Sequence, residues 1–364
     1  MTKDLILQQV RRHLKLGNQL RSIFVKWDKH SNQITLVPKK KEKIIVTLSI
    51  LQFLVIIAKI WTITSITVNL IESFLGIAIL AVSITTFLLR CHISSDYVQA
   101  QFLNCILLSK DGRNHGKQSH FLNYLVLFFD ATELSYYIIS SVHWLLVMFL
   151  PCQPGLISAT LCSSNGLINA NTIKLLFAAM EFLVFMQSGL GAAYYIITLL
   201  LTGVTFVLIE CGTFVKLHKM GVADQIEYRR VQILEKLLNA CTRKQIFLTT
   251  ALIAPACQMT LSFVAVKLLH SGHGLMAVAF MWMYLVVWSF TVITFSAAAK
   301  LYGVSQKWIT ECKRTDRKKC ARKFQISLKP LRLEFGNNFV EVLTPLVVQE
   351  FCLSKTVSFL LATK

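Results

Sequence analysis

The chain has 364 residues, 54% of them hydrophobic and only 15% charged, with a mean hydropathy of +0.57. Soluble domains carry about 25% charged residues, so a soluble enzyme or binding module is excluded and a polytopic membrane protein is expected. The net charge of +20 would suggest nucleic acid in a soluble chain; here its distribution along the sequence offers another explanation.

Residues 1–43 hold eleven Lys or Arg and no long apolar run, which reads as a cytoplasmic segment without a cleavable signal peptide. The segment ends in Lys39-Lys40-Lys41-Glu42-Lys43, a basic flank for a first span and a contact for anionic lipid. Apolar runs long enough to cross a bilayer follow at 44–64, 67–89, 121–150, 173–210, 246–269, 275–299 and 338–363. The third and fourth exceed that length, so tilt or extension beyond the membrane is expected. The chain divides accordingly into the segment 1–43, spans one to six with their connections over 44–299, an anchor segment over 300–337 and a seventh span over 338–364.

Basic residues outside these runs number eleven in 1–43, four in 90–120, seven in 211–245 and eleven in 300–335. The alternate connections at 65–66, 151–172 and 270–274 contain none. The positive-inside rule then gives an all-α integral membrane protein of seven transmembrane helices, N-terminus cytoplasmic and C-terminus extracellular. The basicity is explained by topology, and no nucleic-acid partner is expected.

Two of the ten cysteines, Cys152 and Cys162, fall in an outward connection, where a disulfide and two free thiols are both open. Neither metal-ligand spacing nor HExxH, GxSxG or phosphate-loop patterns occur, so no metal, cofactor or catalytic group is expected. On the inner side, 211–245 reads as helix continuing past the membrane, with Ile226, Val231, Ile233, Leu234, Leu237 and Leu238 near one side. Together with 300–335 it would extend the bundle below the bilayer and meet neighbouring subunits, or lie on lipid.

Ionisable residues inside spans are functional candidates: Glu72, Asp130, Glu133, Glu181, Glu350 and Lys355. The outer halves of spans three, four and six are rich in aromatic and soft side chains, suited to a small-molecule pocket or to facing lipid. In the last span Gln349, Thr356 and Thr363 recur every seven residues and share a helical face with Leu360. That face is either a water path with a constriction or a set of polar contacts between packed helices. Pro345 on the same face is expected to bend the span.

These features resemble the seven-span odorant and gustatory receptors of insects and other arthropods. The family signature in the last span, TYhhhhhQF with h hydrophobic, is similar to Thr356-Val357-Ser358-Phe359-Leu360-Leu361-Ala362-Thr363-Lys364; Thr356 matches, while Val357, Thr363 and Lys364 depart from it. Pro330, Gly336 and Phe339 and the basic N-terminal segment also resemble the family, and the chain looks like a divergent member. The resemblance implies a tastant- or odorant-gated, non-selective cation channel of four identical or mixed subunits in the plasma membrane. It implies Leu360 at the gate and Thr363 at a polar ring, above Thr356 and Gln349 on the pore face. It also implies a ligand pocket drawing on Tyr136, Tyr137, Trp144, Phe185, Phe280 and Tyr284, with His143 and Glu181 as polar anchors. The alternatives are a G-protein-coupled type of receptor, which the charge distribution opposes, and a non-conducting accessory membrane protein.

Overall fold

The computed structural model describes residues 2–28, 30–65, 70–90, 96–108, 119–162, 171–246, 252–315, 327–335 and 338–363. Gly336 and Lys364, which carry part of the family resemblance, lie outside the described residues, as does the turn between the first two spans. The described chain is mostly helical, with helices α1 (Thr2–Gln19), α2 (Lys39–Ser65), α3 (Leu70–Arg90), α4 (Tyr97–Leu108), α5 (Ser119–Phe149), α6 (Asn171–Ala193), α7 (Thr202–Lys219), α8 (Glu227–Ile246), α9 (Ala254–His270), α10 (Gly274–Thr315) and α11 (Thr344–Ala362). A π-helical stretch, Tyr194–Leu201, joins α6 to α7 without a break.

Six helical stretches are long and apolar enough to cross a membrane: Lys39–Ser65, Glu72–Arg90, Tyr124–Phe149, Asn171–Lys219, Gly274–Cys312 and Thr344–Ala362. The chain is therefore a helical membrane protein with six such stretches rather than seven among the described residues. Of the expected fifth span, 246–269, residues 247–251 lie outside the described residues, and the described part contains the 17-residue helix α9.

The all-α expectation needs one amendment. Two short antiparallel ribbons accompany the helices, β1 (Val25–Asp28) with β2 (Gln33–Leu36), and β3 (Glu334–Phe335) with β4 (Asn338–Phe339). Asn104 of α4 acts as a side-chain strand against the first ribbon, accepting the Ile34 N–H at 2.8 Å and donating to the Ile34 carbonyl at 2.9 Å.

The continuous helix Asn171–Lys219 is the axis of the molecule and is mostly buried, whereas α11 is mostly exposed. Its middle is surrounded by a large hydrophobic cluster that includes Phe102, Phe129, Leu199, Leu200, Val204 and Trp308. A second cluster at the other end of the bundle gathers Leu75, Ile79, Val147, Leu156, Leu261, Phe263 and Phe280. We refer to this second region as the disulfide end, and to the opposite one as the basic end.

At the basic end α1 docks against α5 and α6 through Val10, His13 and Leu14, all buried. Arg12 pairs with Glu133 and, at 3.1 Å, with Asp130. These two carboxylates, candidates for a role inside the membrane, thus serve to seat the N-terminal helix. His13 Nε2 lies 3.7 Å from Glu133, yet Arg12 already compensates that carboxylate. Burial, helped by Arg12, keeps the imidazole neutral, its pKa lowered to about 4.

Candidate functional site

The last helix carries the polar stripe. α11 packs along α9 and α10 and leaves its remaining surface uncovered. Gln349 Nε2 donates to Thr291 Oγ1 of α10 at 3.0 Å, and the Thr356 and Ser262 hydroxyls lie 3.0 Å apart. Lys267 donates to the Thr363 carbonyl at 2.7 Å, and Leu360 packs against the cluster at the disulfide end. Gln349 and Thr356 thus bond into the chain's own bundle, while the Thr363 hydroxyl donates back to the Phe359 carbonyl of its own helix at 2.9 Å. In the single chain Gln349, Thr356 and Leu360, assigned to a pore face, make their contacts with α10, α9 and the cluster at the disulfide end. Pro345 sits in the first turn of α11, where its missing N–H costs no intrahelical bond, so it starts the helix instead of bending it.

The opposite face of α11 has its own order. Glu350, Ser354, Ser358 and Leu361 are exposed and fall within about 80° of arc at about 100° per residue. Ser354 stands almost opposite Thr356 and Thr363 by the same arithmetic. Around these groups the helix shows lipid-like residues, Leu346, Val347, Phe351, Leu353, Val357 and Phe359. Lys355 lies to one side of this stripe, its ammonium 5.9 Å from the centre of the Phe351 ring. A carboxylate at mid-helix costs about 3 kcal/mol in hydrocarbon, so Glu350 calls for water or a partner.

A second polar constellation lies between α2, α3 and α6. Lys59 and Glu181 are fully buried and paired at 2.9 Å, and Ser83 lies 3.4 Å from the ammonium. The other oxygen of Glu181 accepts the Ile157 N–H at 2.7 Å. Ile157 belongs to the connection 150–162, in which Cys152 and Cys162 form a disulfide with a Cα separation of 5.6 Å. That connection is tied to three helices: Gly155 N–H donates to Thr62 of α2 at 3.1 Å, Gln153 Nε2 to the Glu72 carbonyl of α3 at 2.9 Å, and Ile157 N–H to Glu181 of α6. Gly155 has φ +86° and crosses Gly76 so closely that a Cβ on Gly155 would lie 2.8 Å from the Gly76 carbonyl oxygen. Lower down, Arg90 lies across α6 at Gly191 and donates to Gln52 at 2.9 Å.

The candidate ligand residues do not form one group. Tyr136 is buried in the large cluster beside His13, and Tyr137 is exposed. Trp144, Phe280 and Tyr284 belong to the cluster at the disulfide end. His143 and Phe185 stack at 4.5 Å, and His143 Nδ1 bonds the Ile139 carbonyl at 2.9 Å. His143 Nε2 is buried with no hydrogen-bond partner among the described residues. Glu181, expected as a polar anchor, is bonded to Lys59 and to the Ile157 N–H. A separate apolar cavity of about 90 Å³ lies deeper, lined by Thr85, Phe128, Tyr195, Cys257, Val286 and Phe290 among others.

Sequence inspection passed over Lys59 and Arg90 because each sits in or beside an apolar run with its partner far away in the chain. The available signal was an unexplained Lys in one span and an unexplained Glu in another. Among the described residues no group of three or more His, Cys, Asp and Glu is placed to hold a metal. No known family model matches the chain, and a comparison with curated proteins finds no match.

Proposed function

We propose that the protein is a chemosensory receptor of the arthropod gustatory and odorant type, a cation channel of four subunits opened by a small molecule at the plasma membrane. The observation that carries this reading is the free face of α11, where Glu350, Ser354 and Ser358 form a polar stripe that the chain's own packing does not use. Four copies arranged with these faces inward give the carboxylates and hydroxyls water, and leave the apolar flanks against neighbouring subunits or lipid. Glu350 then attracts cations, and Leu361, further along the same face, forms an apolar ring that blocks conduction by dewetting. The basic segments support a cytoplasmic N-terminus, with the disulfide end outward.

The ligand enters at the disulfide end. His143 is the polar anchor that remains unpaired there, with Phe185 as its stacking partner and Trp144, Phe280 and Tyr284 as neighbouring apolar walls. Opening requires the ligand to bind the open arrangement of the bundle more tightly than the closed one. α9 and α10 hold α11 by one narrow face, so a shift of either carries the pore helix with it.

The test is whole-cell current from the protein expressed alone, with a panel of tastants. Leu361→Ala gives a constitutive cation leak, whereas Leu360→Ala, on the packed face, does not. Surface-expressed protein that passes no current in either variant would sink the channel reading in favour of a non-conducting membrane protein.

A further inference from the structure

At the basic end, α8 and the extended segment 327–334 enclose an open cleft of about 810 Å³, well within the size of a small-molecule site. Its two walls are locked together. Gln232 Nε2 and Tyr228 Oη both donate to the Lys329 carbonyl at 3.0 Å, and Asn239 Nδ2 donates to the Arg332 carbonyl at 2.8 Å. Asn239 Oδ1 accepts the Glu334 N–H at 3.1 Å. These bonds run along one face of α8 and hold an extended chain against it, as a neighbouring strand would be held. Leu328, Leu331 and Leu333 bury themselves beneath, so the segment is anchored from below as well.

The charge in this cleft is strongly one-sided. Five cationic side chains line it, Arg229, Lys236, Arg243, Lys329 and Arg332, against the two carboxylates Glu235 and Glu334. Both carboxylates are already occupied. Glu334 pairs with Arg243 at 3.5 Å, and Glu235 accepts the Asn239 amide at 2.8 Å and the Arg332 N–H at 3.4 Å. Arg229 donates to Gln232 at 3.1 Å and to Ser327 at 2.7 Å, which fix its guanidinium at the cleft. The Arg332 guanidinium stacks 4.2 Å above the Phe339 ring, and its Nε is buried without an acceptor among the described residues. Lys236 and Lys329 are exposed and have no ion pair among the described residues. Topology alone asks only for positive charge near the membrane. It does not ask for cations fixed on two facing walls of a hollow.

We propose that this cleft binds a multiply phosphorylated small anion of the inositol polyphosphate class, free in the cytosol or as the headgroup of a membrane lipid. Planar guanidiniums and mobile ammoniums on facing walls match phosphate groups spaced around a compact ring. A single carboxylate or inorganic phosphate would meet only one wall and bind weakly. The site is distinct from α11 and does not depend on the protein conducting ions.

The experiment uses the full chain in lipid nanodiscs. Inositol hexakisphosphate is titrated by calorimetry into nanodiscs of neutral lipid. In a second arm, a soluble fluorescent inositol-phosphate probe is displaced by nanodiscs containing phosphatidylinositol 4,5-bisphosphate. The paired variant Lys236→Gln/Lys329→Gln is expected to weaken binding by at least about tenfold, the loss of charge-assisted contacts to phosphate. Both lysines are exposed, so the fold is retained. The control variant Lys40→Gln/Lys41→Gln removes the same charge from another basic cluster and is expected to leave affinity unchanged. Binding of the hexakisphosphate with no displacement of the probe by the lipid identifies a soluble anion, and displacement by the lipid identifies a lipid headgroup. Binding in neither arm, or equal weakening by both paired variants, overturns the site and leaves the cleft as diffuse surface charge.

Discussion

Lys59 and Glu181 are two full charges removed from water in the middle of a helical bundle, and their value depends on remaining together. Removing one partner leaves the other uncompensated, at a cost of about 3–5 kcal/mol, whereas replacing both with apolar groups of similar volume is far milder. Lys59→Met is therefore expected to lower the melting temperature sharply in detergent, and Lys59→Met/Glu181→Met to recover most of the loss. Additive losses in the double variant would mean that the pair is not coupled. His13 supplies a second residue-scale expectation. Its pKa is lowered from 6.5 to about 4 by burial, so the fold favours the neutral ring. The stabilisation is complete above pH 6.5 and is lost as pH falls towards 4, a swing of about 3 kcal/mol. His13→Gln is expected to narrow the difference in melting temperature between pH 7 and pH 5, and an unchanged difference would refute the assignment.

At the scale of elements, the connection 150–162 behaves as a cap tied to α2, α3 and α6, closed on itself by the disulfide. Its approach to α3 depends on glycine at both Gly76 and Gly155. Gly155→Val is expected to undock the cap by steric overlap and by the cost of a branched residue at positive φ. Faster reduction of Cys152–Cys162 by dithiothreitol, compared with the unsubstituted protein, is the readout. An unchanged rate would show that the cap is held without that crossing. Several elements were legible in the sequence because a span is written as a long apolar run. The short ribbons and the docking of α1 were not, since Val10, His13 and Leu14 are too few to stand out among eleven cations. The polar stripe of α11 was half legible. Seven-residue spacing shows that Gln349, Thr356 and Thr363 share a face, but not whether that face meets water or α9 and α10. The four-residue spacing of Glu350, Ser354 and Ser358 is just as visible, and only the packing shows that this is the face left free.

For the whole molecule, the uneven burial of its helices is the organising fact. A continuous helix runs through the centre, and α11 stands at the periphery, attached by one side. The proposed assembly would give the exposed polar stripe of α11 water or a partner, by the same physics that pairs Lys59 with Glu181. The orientation is checked by an epitope at the N-terminus, expected to stay inaccessible to antibody on intact cells; surface staining would reverse the topology and remove the channel reading.

The most direct measurement is cysteine accessibility along α11 in the leaking Leu361→Ala protein. Ser354→Cys should be modified by a charged thiol reagent and its current blocked, while Thr356→Cys, two residues along on the packed face, should remain unaffected relative to the parent. Block at Thr356→Cys with Ser354→Cys unaffected would contradict the account and place the pore on the opposite side of the helix.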